Sequence, residues 1–551
     1  MSSSSSDAAS SEFLTQSYSR LRALVSARVA QETTIPTPAS IQAAVSSLPV
    51  PSHTGPSKAT SQHQHQHDSN HDNNNNNNNN SNNNSNNNSN SILPTKGLGQ
   101  EATISHLHEF TSASLNAQSL SSRYFGFVTG GTLPIAEAAD NIVSAWDQNV
   151  AVHLPSHSGS TFLEDAALTM LSDLLALPSD DFSARTFTTG ATGSNIMGLA
   201  CAREGVISAR LPAGEEGEGV AELGLLQACQ RAGIKEIQIL TSMSHSSLSK
   251  AASLVGLGHN ATKQLPASPE EPWRLDLDAV ERELAREQDE GVVSIIVISA
   301  GEVNTGRFAL HALDMPKLES LARRYRSWIH VDGAFGIFAR ALPKTDEFLH
   351  LHACVAGLEL ADSITADGHK LLNVPYDTGI FFCRHPAIVN QVFRNPNAAY
   401  LASGAFGETP AIPSPLNNGI ENSRRFRALP VYAVLLSEGR EGIAAMLARM
   451  VFLAREIARF IRDSEHYEWL PDPNASPEQT HIIILFRAKN PELNEVLTER
   501  INETRRMFVS GTSWKGRKAV RIAVSNWRVD VERDLAVVKE ILLAVASSSL
   551  E

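Results

Sequence analysis

The pattern of hydrophobic and polar positions separates a helical start and a polar tract from the rest of the chain. Residues 11–34 carry apolar side chains at roughly helical spacing, which predicts one amphipathic helix. From about residue 50 to 91 the chain is rich in Ser, His and Asn and offers almost no apolar side chain to bury. Because such a tract cannot offset the entropy lost on folding, we predict that residues 1–95 are largely disordered.

Beyond residue 160, helical and strand patterns alternate. Short apolar runs bounded by turn residues predict strands at Ile237–Leu240, Val292–Ile298, Trp328–Val331 and Ile380–Cys383. Helical spacing predicts helices over 162–177, 193–209, 222–233, 246–255, 276–288 and 315–326. This alternation indicates an α/β fold with a doubly wound, mostly parallel sheet, whose ligands bind at the carboxyl ends of the strands.

After Arg424 the pattern changes and predicts a smaller α+β domain. A long helical stretch over 430–464 is followed by HIIILF, a helix over 491–506 and AVRIAV. We therefore predict a disordered region at 1–95, an N-terminal segment at 96–160, a large domain at 161–425 and a small domain at 426–551.

Composition excludes several classes of partner. The formal net charge of −13 repels nucleic acid and anionic lipid, and no run approaches the roughly 20 apolar residues of a membrane span. The four cysteines are widely spaced, without the spacing of metal ligands or of a disulfide framework. The sequence thus predicts no nucleic-acid partner, no membrane partner and no metal site. No secretory signal is evident at the N-terminus, so a cytoplasmic location is expected.

Two segments carry the strongest chemical pattern. In SWIHVDGAFGIFAR (327–340) an apolar run ends at Asp332, and a buried acid at a strand end needs a partner such as a protonated pyridine nitrogen. In ADSITADGHKLLNVPYDTGIFF (361–382), Lys370 follows a small polar loop and is flanked by apolar sequence, which favours partial desolvation. Desolvation lowers the pKa of an amine and makes it a better nucleophile toward an aldehyde. An Asp and a Lys in this order are typical of a pyridoxal phosphate site.

These segments resemble those of the group II pyridoxal-phosphate-dependent amino-acid decarboxylases, the family of aromatic-amino-acid, histidine and glutamate decarboxylases. The resemblance extends from about Phe110 to Val529. It implies the transferase fold of type I, with Asp332 as partner of the pyridine nitrogen and Lys370 as the lysine that binds the cofactor covalently. His369 would lie against the cofactor, and Ala334 belongs to the same set of cofactor contacts.

Further segments match the family. TTGATGSNIMGLACARE (188–204) resembles its phosphate-binding turn, which assigns Thr192, Gly193 and Ser194 to the phosphate; ordinary helix capping is the alternative. SMSHSSLSKAASLVG (242–256) makes His245 the residue that stacks on the cofactor ring and a candidate acid–base group, unless it is a packed or capping residue.

The remaining matches concern the rest of the cavity. VISAGEVNTGRF (297–308) places Ser299 near the cofactor ring, with Glu302 where a small hydroxyl residue is commoner. RYFGFVTGG (123–131) makes Tyr124 and Phe127 candidates for the substrate pocket, although both would also suit an aromatic core.

The implied reaction is decarboxylation of an L-amino acid, with aromatic substrates the first expectation, in a homodimer whose N-terminal segment packs on the dimer. The family commonly uses a loop tyrosine to protonate the product carbon, but no tyrosine lies between Tyr400 and Tyr432, and the expected position falls near Pro413–Leu416. Phe406 lies in this loop at a different spacing. Aldehyde synthesis, C–S or C–C cleavage on the same cofactor therefore stays open, as does a catalytically silent interaction protein.

Overall fold

The computed structural model describes residues 3–48, 93, 96–214, 217–395 and 412–547. Contacts divide the chain into two compact units, one formed by 1–31 with 35–116 and the other by 32–34 with 117–551. The Ser/His/Asn-rich tract, Tyr400 and Phe406 lie outside the described residues. The predicted segment 96–160 falls partly in each unit, and the four-region division stays a prediction.

The first unit contains helices α1 (Ser3–Ala30), α2 (Pro38–Ser46) and α3 (Gln100–Ser114). The predicted helix over 11–34 is present in α1, which ends at Ala30. Helix α2 begins where the Thr37 hydroxyl accepts the N–H of Ser40 at 3.0 Å, with Pro38 in the first turn. The disorder predicted for residues 1–95 therefore does not extend over α1 and α2.

The second unit contains the elements that build the cavity described below. Its helices are α4 (Pro134–Trp146), α5 (Ser160–Leu174), α6 (Ala191–Ser208), α7 (Val220–Leu223), α8 (Leu225–Arg231), α9 (Ser246–Leu254), α10 (Leu277–Glu290), α11 (Asp314–Arg324), α12 (Leu349–Cys354), α13 (Pro386–Phe393), α14 (Ala428–Arg462), α15 (Pro491–Glu503) and α16 (Val531–Ser547). Its strands are β1 (Ala184–Thr188), β2 (Glu236–Thr241), β3 (Thr262–Gln264), β4 (Val292–Ser299), β5 (Trp328–Asp332), β6 (Ser363–Asp367), β7 (Gly379–Cys383), β8 (Tyr467–Leu470), β9 (Ile483–Ala488), β10 (Ser510–Trp514) and β11 (Arg517–Ala523).

Two sheets organise this unit. The larger sheet has the order β1-β7-β6-β5-β4-β2-β3, in which β7 is antiparallel to both of its neighbours and the other pairs are parallel. The smaller sheet is antiparallel, in the order β10-β11-β9-β8. The predicted α/β fold with a large, mostly parallel sheet and a smaller α+β part is confirmed. No helix of the described ranges is both long enough and apolar enough to pass through a bilayer.

Three local predictions need correction. The small polar loop expected before His369 is the buried strand β6, because its polar side chains find partners: the Ser363 hydroxyl accepts the indole N–H of Trp328 at 2.9 Å. The helix expected over 222–233 breaks into α7 and α8 at Gly224, whose φ is +75°. Helix α14 is interrupted at Gly439, where φ is +59°.

A buried ion pair joins the segment before α14 to helix α5. The Arg424 side chain is 0% exposed and donates to Glu164 of α5 at 3.0 Å and to the Val150 carbonyl oxygen at 2.7 Å. Burial raises the pKa of Glu164, and the adjacent Arg424 opposes this shift. Each charge is therefore tolerated only because the other is present.

We expect Arg424→Ala to lower the free energy of unfolding by about 3–5 kcal/mol, since it leaves the Glu164 carboxyl group buried without its cation. The neighbouring Arg425 is the matched control: its pair with Asp140 spans 2.6 Å, but the two side chains are 36% and 32% exposed. Arg425→Ala should cost no more than about 1 kcal/mol. Denaturant unfolding of both variants measures the difference, and equal effects would contradict this assignment.

Candidate active site

A cavity of about 420 Å³ lies where three parallel strands of the large sheet end. The last residues of β4, β5 and β6 are Ser299, Asp332 and Asp367, and all three line it. Of the residues predicted from sequence, the lining also includes Phe127, Thr192, Gly193, His245, Ala334, His369 and Lys370. The tertiary structure thus brings together segments that are more than 200 residues apart in the chain.

Asp332 is held by polar groups on both carboxylate oxygens. Its Oδ2 accepts the side-chain N–H of Asn195 at 2.9 Å, and its Oδ1 accepts the N–H of Ala334 at 3.3 Å. The side-chain oxygen of Asn195 faces Nε2 of His330 at 2.9 Å, while Nδ1 of His330 contacts the Ser363 hydroxyl at 2.8 Å. A buried polar chain therefore fixes the orientation of the Asp332 carboxylate.

Burial determines the protonation of the histidine in this series of hydrogen-bonded side chains. His330 is 0% exposed, and burial lowers its pKa to about 4, although the Asp332 carboxylate acts in the opposite direction. A neutral imidazole with its Nε2 proton directed at the Asn195 oxygen leaves the amide N–H groups of Asn195 to donate to Asp332. Space is tight here, since a Cβ atom at Gly198 of α6 would lie 2.3 Å from the His330 ring.

Lys370 lies opposite an acid that the sequence analysis did not single out. Its Nζ is 2.8 Å from Oδ2 of Asp367, whose side chain is 2% exposed, whereas the Lys370 side chain is 21% exposed. Oδ1 of Asp367 accepts the N–H of Ala191, the first residue of α6, at 2.7 Å. Asp367 therefore positions both the lysine and the start of α6. The spacing of three residues within ADGHK is the feature from which this pair could have been found.

The side chain of Asn373 stabilises the turn that carries Lys370. Residues Gly368–Leu372 form a single π-helical turn, which Asn373 ends at φ +56°. The side chain of Asn373 donates to the Lys370 carbonyl oxygen at 3.3 Å and accepts the N–H of Gly131 at 2.8 Å. Gly130 is required in this packing, because its φ is +59° and a Cβ atom would lie 2.1 Å from the Lys370 carbonyl oxygen.

His369 lies between the start of α6 and Tyr376. Its Nδ1 accepts the N–H of Thr378 at 3.2 Å, and its ring centroid is 4.5 Å from that of Tyr376. Burial lowers the pKa of His369, while the nearby Asp367 carboxylate opposes this shift. A Cβ atom at Gly190, where φ is +149°, would lie 3.3 Å from the His369 ring. The ring is therefore fixed and mainly neutral.

The N-terminus of α6 faces the cavity through Thr192 and Gly193. Gly190 precedes the helix, and its cap carries no side-chain hydrogen bond among the described residues. The first backbone N–H groups of a helix have no partner within the helix and attract anions. Ser194 does not line the cavity: its hydroxyl contacts that of Thr188 at 2.7 Å and donates to the Ile380 carbonyl oxygen at 3.1 Å, so it attaches α6 to the sheet.

His245 both caps a helix and lines the cavity. It caps α9, with its Nδ1 accepting the N–H of Ser247 at 3.1 Å, and it also lines the cavity. Because Nδ1 is an acceptor, the neutral ring carries its proton on Nε2.

The two aromatic candidates for the substrate pocket lie in different environments. Phe127 lines the cavity and is 59% exposed. Tyr124 is 5% exposed and stacks on Phe508 with ring centroids 4.7 Å apart, so it packs in the core and is absent from the described lining.

The lining also includes Tyr376 and Arg521, which were not predicted from sequence, and Glu302, whose role the sequence left open. Tyr376 donates to the Thr129 carbonyl oxygen at 3.1 Å, and burial raises its pKa to about 12. Glu302 accepts the N–H of Thr305 at 2.7 Å and stabilises its own turn, which accounts for this departure from the family pattern. Arg521 of β11 is 5% exposed, and its NH1 donates to the Val303 carbonyl oxygen at 2.8 Å.

Arg521 lines the cavity with part of its guanidinium group lacking a partner among the described residues. Its Nε and NH2 atoms are buried without a hydrogen bond among the described residues, and burial lowers its pKa to about 10. A buried cation with two guanidinium nitrogens unused is suited to bind a carboxylate. A charged residue within the apolar run AVRIAV is the sequence feature that could have identified it.

These residues fit a pyridoxal phosphate molecule. The cavity is within the usual size range for small ligands, about 300–1,000 Å³. A carboxylate at one end of it suits a protonated pyridine nitrogen, an amine suits an aldehyde, and a helix N-terminus suits a phosphate. Fold and cavity together define the class of a pyridoxal-phosphate-dependent α/β enzyme.

Comparison with known proteins places the chain within one family. Residues 130–489 match the family model described as the pyridoxal-dependent decarboxylase conserved domain, and the chain belongs to this family. The predicted family and its cofactor, pyridoxal phosphate, are confirmed.

Individual relatives agree with this result. The chain is 30% identical to L-2,4-diaminobutyrate decarboxylase of Acinetobacter baumannii over 349 residues, which are 62% of this chain and 63% of that protein. It is 23% identical to an aromatic-L-amino-acid decarboxylase of Bacillus atrophaeus, over 76% of this chain and 80% of that one. A crystal structure of Oryza sativa TDC with PLP and tryptamine has a TM-score of 0.70 at 21% identity, covering 83% of this chain and 90% of that one. At this level of identity, the similarity to the Oryza sativa structure shows a shared fold.

We expect Asn195→Ala to weaken cofactor binding about 10- to 100-fold, because Asp332 loses a hydrogen bond to a charged group worth about 1.5–3 kcal/mol. Titration of cofactor-free protein with pyridoxal phosphate, followed by absorbance, measures this change. Asn494→Ala is the matched control, since Asn494 is 6% exposed and accepts the Ala488 N–H in the small sheet. Equal affinities of the two variants would disprove the role of the polar chain.

Proposed function

We propose that this protein is a pyridoxal-phosphate-dependent decarboxylase that converts an L-amino acid to the amine and carbon dioxide. The observation that carries the proposal is the convergence of Lys370, Asp332 and the partly unpaired Arg521 on one cavity. The chain aligns with about 63% of the length of the first curated relatives, such as the diaminobutyrate decarboxylase. The activity is therefore inferred from the cavity and the family together.

The predicted residues that line the cavity take roles that their positions support. Lys370 forms the covalent bond to the cofactor, and Asp332 keeps the pyridine nitrogen protonated. His245 stacks on the ring, Thr192 and Gly193 bind the phosphate through backbone N–H groups, and Ser299, Ala334 and His369 complete the contacts. When bound, pyridoxal phosphate supplies an aldehyde for a covalent bond to an amine and a ring that accepts electrons from it.

Asp367 prepares Lys370 for its role. With Nζ and the carboxylate 2.8 Å apart, the amine is fixed at the carboxyl edge of the sheet and is oriented before the cofactor binds. An amine held in one position loses less entropy when it reacts.

Arg521 is suited to hold a carboxylate of the substrate. Its Nε and NH2 groups would donate to the two oxygens, and the interaction is strong because the site is shielded from water. A substrate held at one end by Arg521 has its scissile bond fixed in direction, which is what bond breaking requires. Phe127 and Tyr376, which line the same cavity, would contact the remainder of the substrate.

Protonation of the product carbon is the step for which the chain departs from its family. Pro415 and Leu416, in the region where the loop tyrosine is expected, are buried. The Nε2 proton of His245 and the Tyr376 hydroxyl, whose raised pKa keeps it protonated, are the alternatives in the cavity lining. Aldehyde synthesis on the same cofactor is the second candidate function, favoured by this departure. The complete set of Lys370, Asp332 and His369 argues against a silent protein.

We further propose that the protein is a cytoplasmic homodimer. Apolar side chains are exposed at the cavity and nearby in the sequence: Phe127 is 59% exposed, Tyr376 54%, Ile142 51% and Trp146 75%. Large exposed apolar side chains in such number are typical of interaction surfaces. A second copy covering them would also close the cavity, as the resemblance to the family implies. Light scattering of the purified chain tests this assembly.

We expect the wild-type protein with pyridoxal phosphate to release amine and carbon dioxide in equal amounts from one member of a panel of L-amino acids. The panel includes aromatic amino acids, 2,4-diaminobutyrate and aspartate, and products are measured by mass spectrometry and carbon dioxide release. Lys370→Ala should abolish both products, because no covalent bond to the cofactor can form.

Lys250→Ala is the matched control, since Lys250 is an exposed lysine on α9. Borohydride should fix the cofactor to the wild type and to this control but not to Lys370→Ala. Aldehyde with ammonia in place of amine would support the second candidate. Retained borohydride labelling in Lys370→Ala would overturn the assignment of the lysine.

Substitution of Arg521 by Gln should raise KM and lower kcat/KM about 10- to 100-fold, the loss of a charged hydrogen bond of about 1.5–3 kcal/mol. Arg517→Gln is the control on the same strand, because Arg517 is exposed. Steady-state kinetics of both variants, with cofactor affinity measured alongside, separate substrate binding from cofactor binding. An unchanged KM in Arg521→Gln would rule out the carboxylate contact.

A further inference from the structure

Outside the cavity, three potential metal ligands converge on one point of the second unit. His311 precedes α11, and His350 and Cys354 belong to α12. Their ligand atoms all lie within 4.8 Å of one another. Nε2 of His350 is 3.6 Å from the Cys354 sulfur, and the rings of His311 and His350 have centroids 5.8 Å apart. The sequence predicted no metal site, because the four cysteines are widely spaced and lack the spacing of metal ligands.

The backbone supports this convergence on both sides. His350 and Cys354 are four residues apart on a helix, so their side chains project from the same face. His311 is fixed by its own N–H, which donates to Oδ2 of Asp314 at 2.8 Å; the same carboxylate oxygen pairs with Arg274 at 2.9 Å. The three side chains are therefore brought together before any ligand binds.

His352, a second histidine of the same helix, is directed toward a backbone carbonyl group. Nε2 of His352 is 3.1 Å from the Pro343 carbonyl oxygen, so this ring is accounted for by a backbone contact. His350, by contrast, faces the thiol and the other imidazole. The orientation of His350 is that expected of a ligand, and His352 is a natural reference for it.

We propose that His311, His350 and Cys354 form a binding site for a zinc ion, with water as the fourth ligand. Two imidazole nitrogens and one thiolate sulfur are the donor set that Zn²⁺ prefers, whereas Mg²⁺ and Ca²⁺ require oxygen ligands. Zinc–nitrogen and zinc–sulfur bonds of about 2.0–2.3 Å need small side-chain rotations to bring the three donors closer.

The surrounding charges set the strength of this site. The guanidinium groups of Arg274 and Arg307 act electrostatically on Cys354. These two cations repel a metal ion. Zinc would therefore bind more weakly here than in a closed four-ligand structural site, and all three donors would be needed to hold it. Bound zinc would connect the segment that follows β4 to α12. That segment carries Glu302 of the cavity lining.

The test uses the full-length protein with pyridoxal phosphate bound, freed of metal by a chelator. Zinc is titrated in competition with a chromophoric chelator, and Co²⁺ is the spectroscopic probe. We expect one tightly bound zinc per chain and, with cobalt, both tetrahedral ligand-field bands and a sulfur-to-cobalt charge-transfer band. Cys354→Ser should remove the charge-transfer band, and Cys354→Ser and His350→Gln should each weaken zinc binding at least about tenfold.

Matched controls separate the site from other metal ligands. Cys229→Ser and His352→Gln, a half-buried thiol and a neighbouring imidazole, should keep the wild-type zinc affinity and cobalt spectrum. The His-rich N-terminal tract contains no cysteine, so it cannot produce the sulfur band. Circular dichroism of each variant confirms folding. Absence of the sulfur band in the wild type, or an unchanged zinc affinity in both ligand variants, would overturn the proposal.

Discussion

The carboxylate of Asp367, at the end of β6, contacts both the start of α6 and the amine of Lys370. Asp367 accepts the first N–H of α6 at 2.7 Å and lies 2.8 Å from Nζ of Lys370. Its burial at 2% exposure is tolerated because a cation and a helix N-terminus both face it. The start of α6 and the Lys370 amine are thus both positioned by one carboxylate, and the cavity lies between them.

The same principle extends outward from the cavity. Asp332 is oriented by Asn195, which is oriented by His330, and the chain ends at Ser363 on the neighbouring strand. Each hydrogen bond in this series joins side chains from two different segments of the protein. Burial lowers the pKa of His330 to about 4, so its ring adds no positive charge beside the Asp332 carboxyl group at neutral pH. Polar residues within β6 are accordingly part of the site's support and not a loop.

Two features of the lining determine where the cavity is polar and where it is apolar. Arg521 comes from the small sheet and brings a cation with unused N–H groups, while Phe127 and Tyr376 offer exposed aromatic surface. The cavity is therefore polar where a carboxylate would bind and apolar toward solvent. Under the proposed function, this asymmetry would distinguish the carboxylate end of a substrate from its side chain, and a second copy of the chain would cover the apolar edge.

The sequence by itself determined the alternation of strands and helices, the end of β5 at Asp332 and the position of Lys370. Periodicity and motif spacing are local properties of the chain and can be recognised without the fold. It predicted β6 as a loop, since a strand rich in Ser, Thr and Asp is stable only when distant side chains complete its hydrogen bonds.

Only the tertiary structure decided which candidates face the cavity. Thr192 lines it, but Ser194, two residues further along the same helix, faces the sheet; Tyr124 packs on Phe508 in the core. Arg521 and the cluster of His311, His350 and Cys354 depend on contacts between distant segments, and no local pattern encodes which distant segments meet.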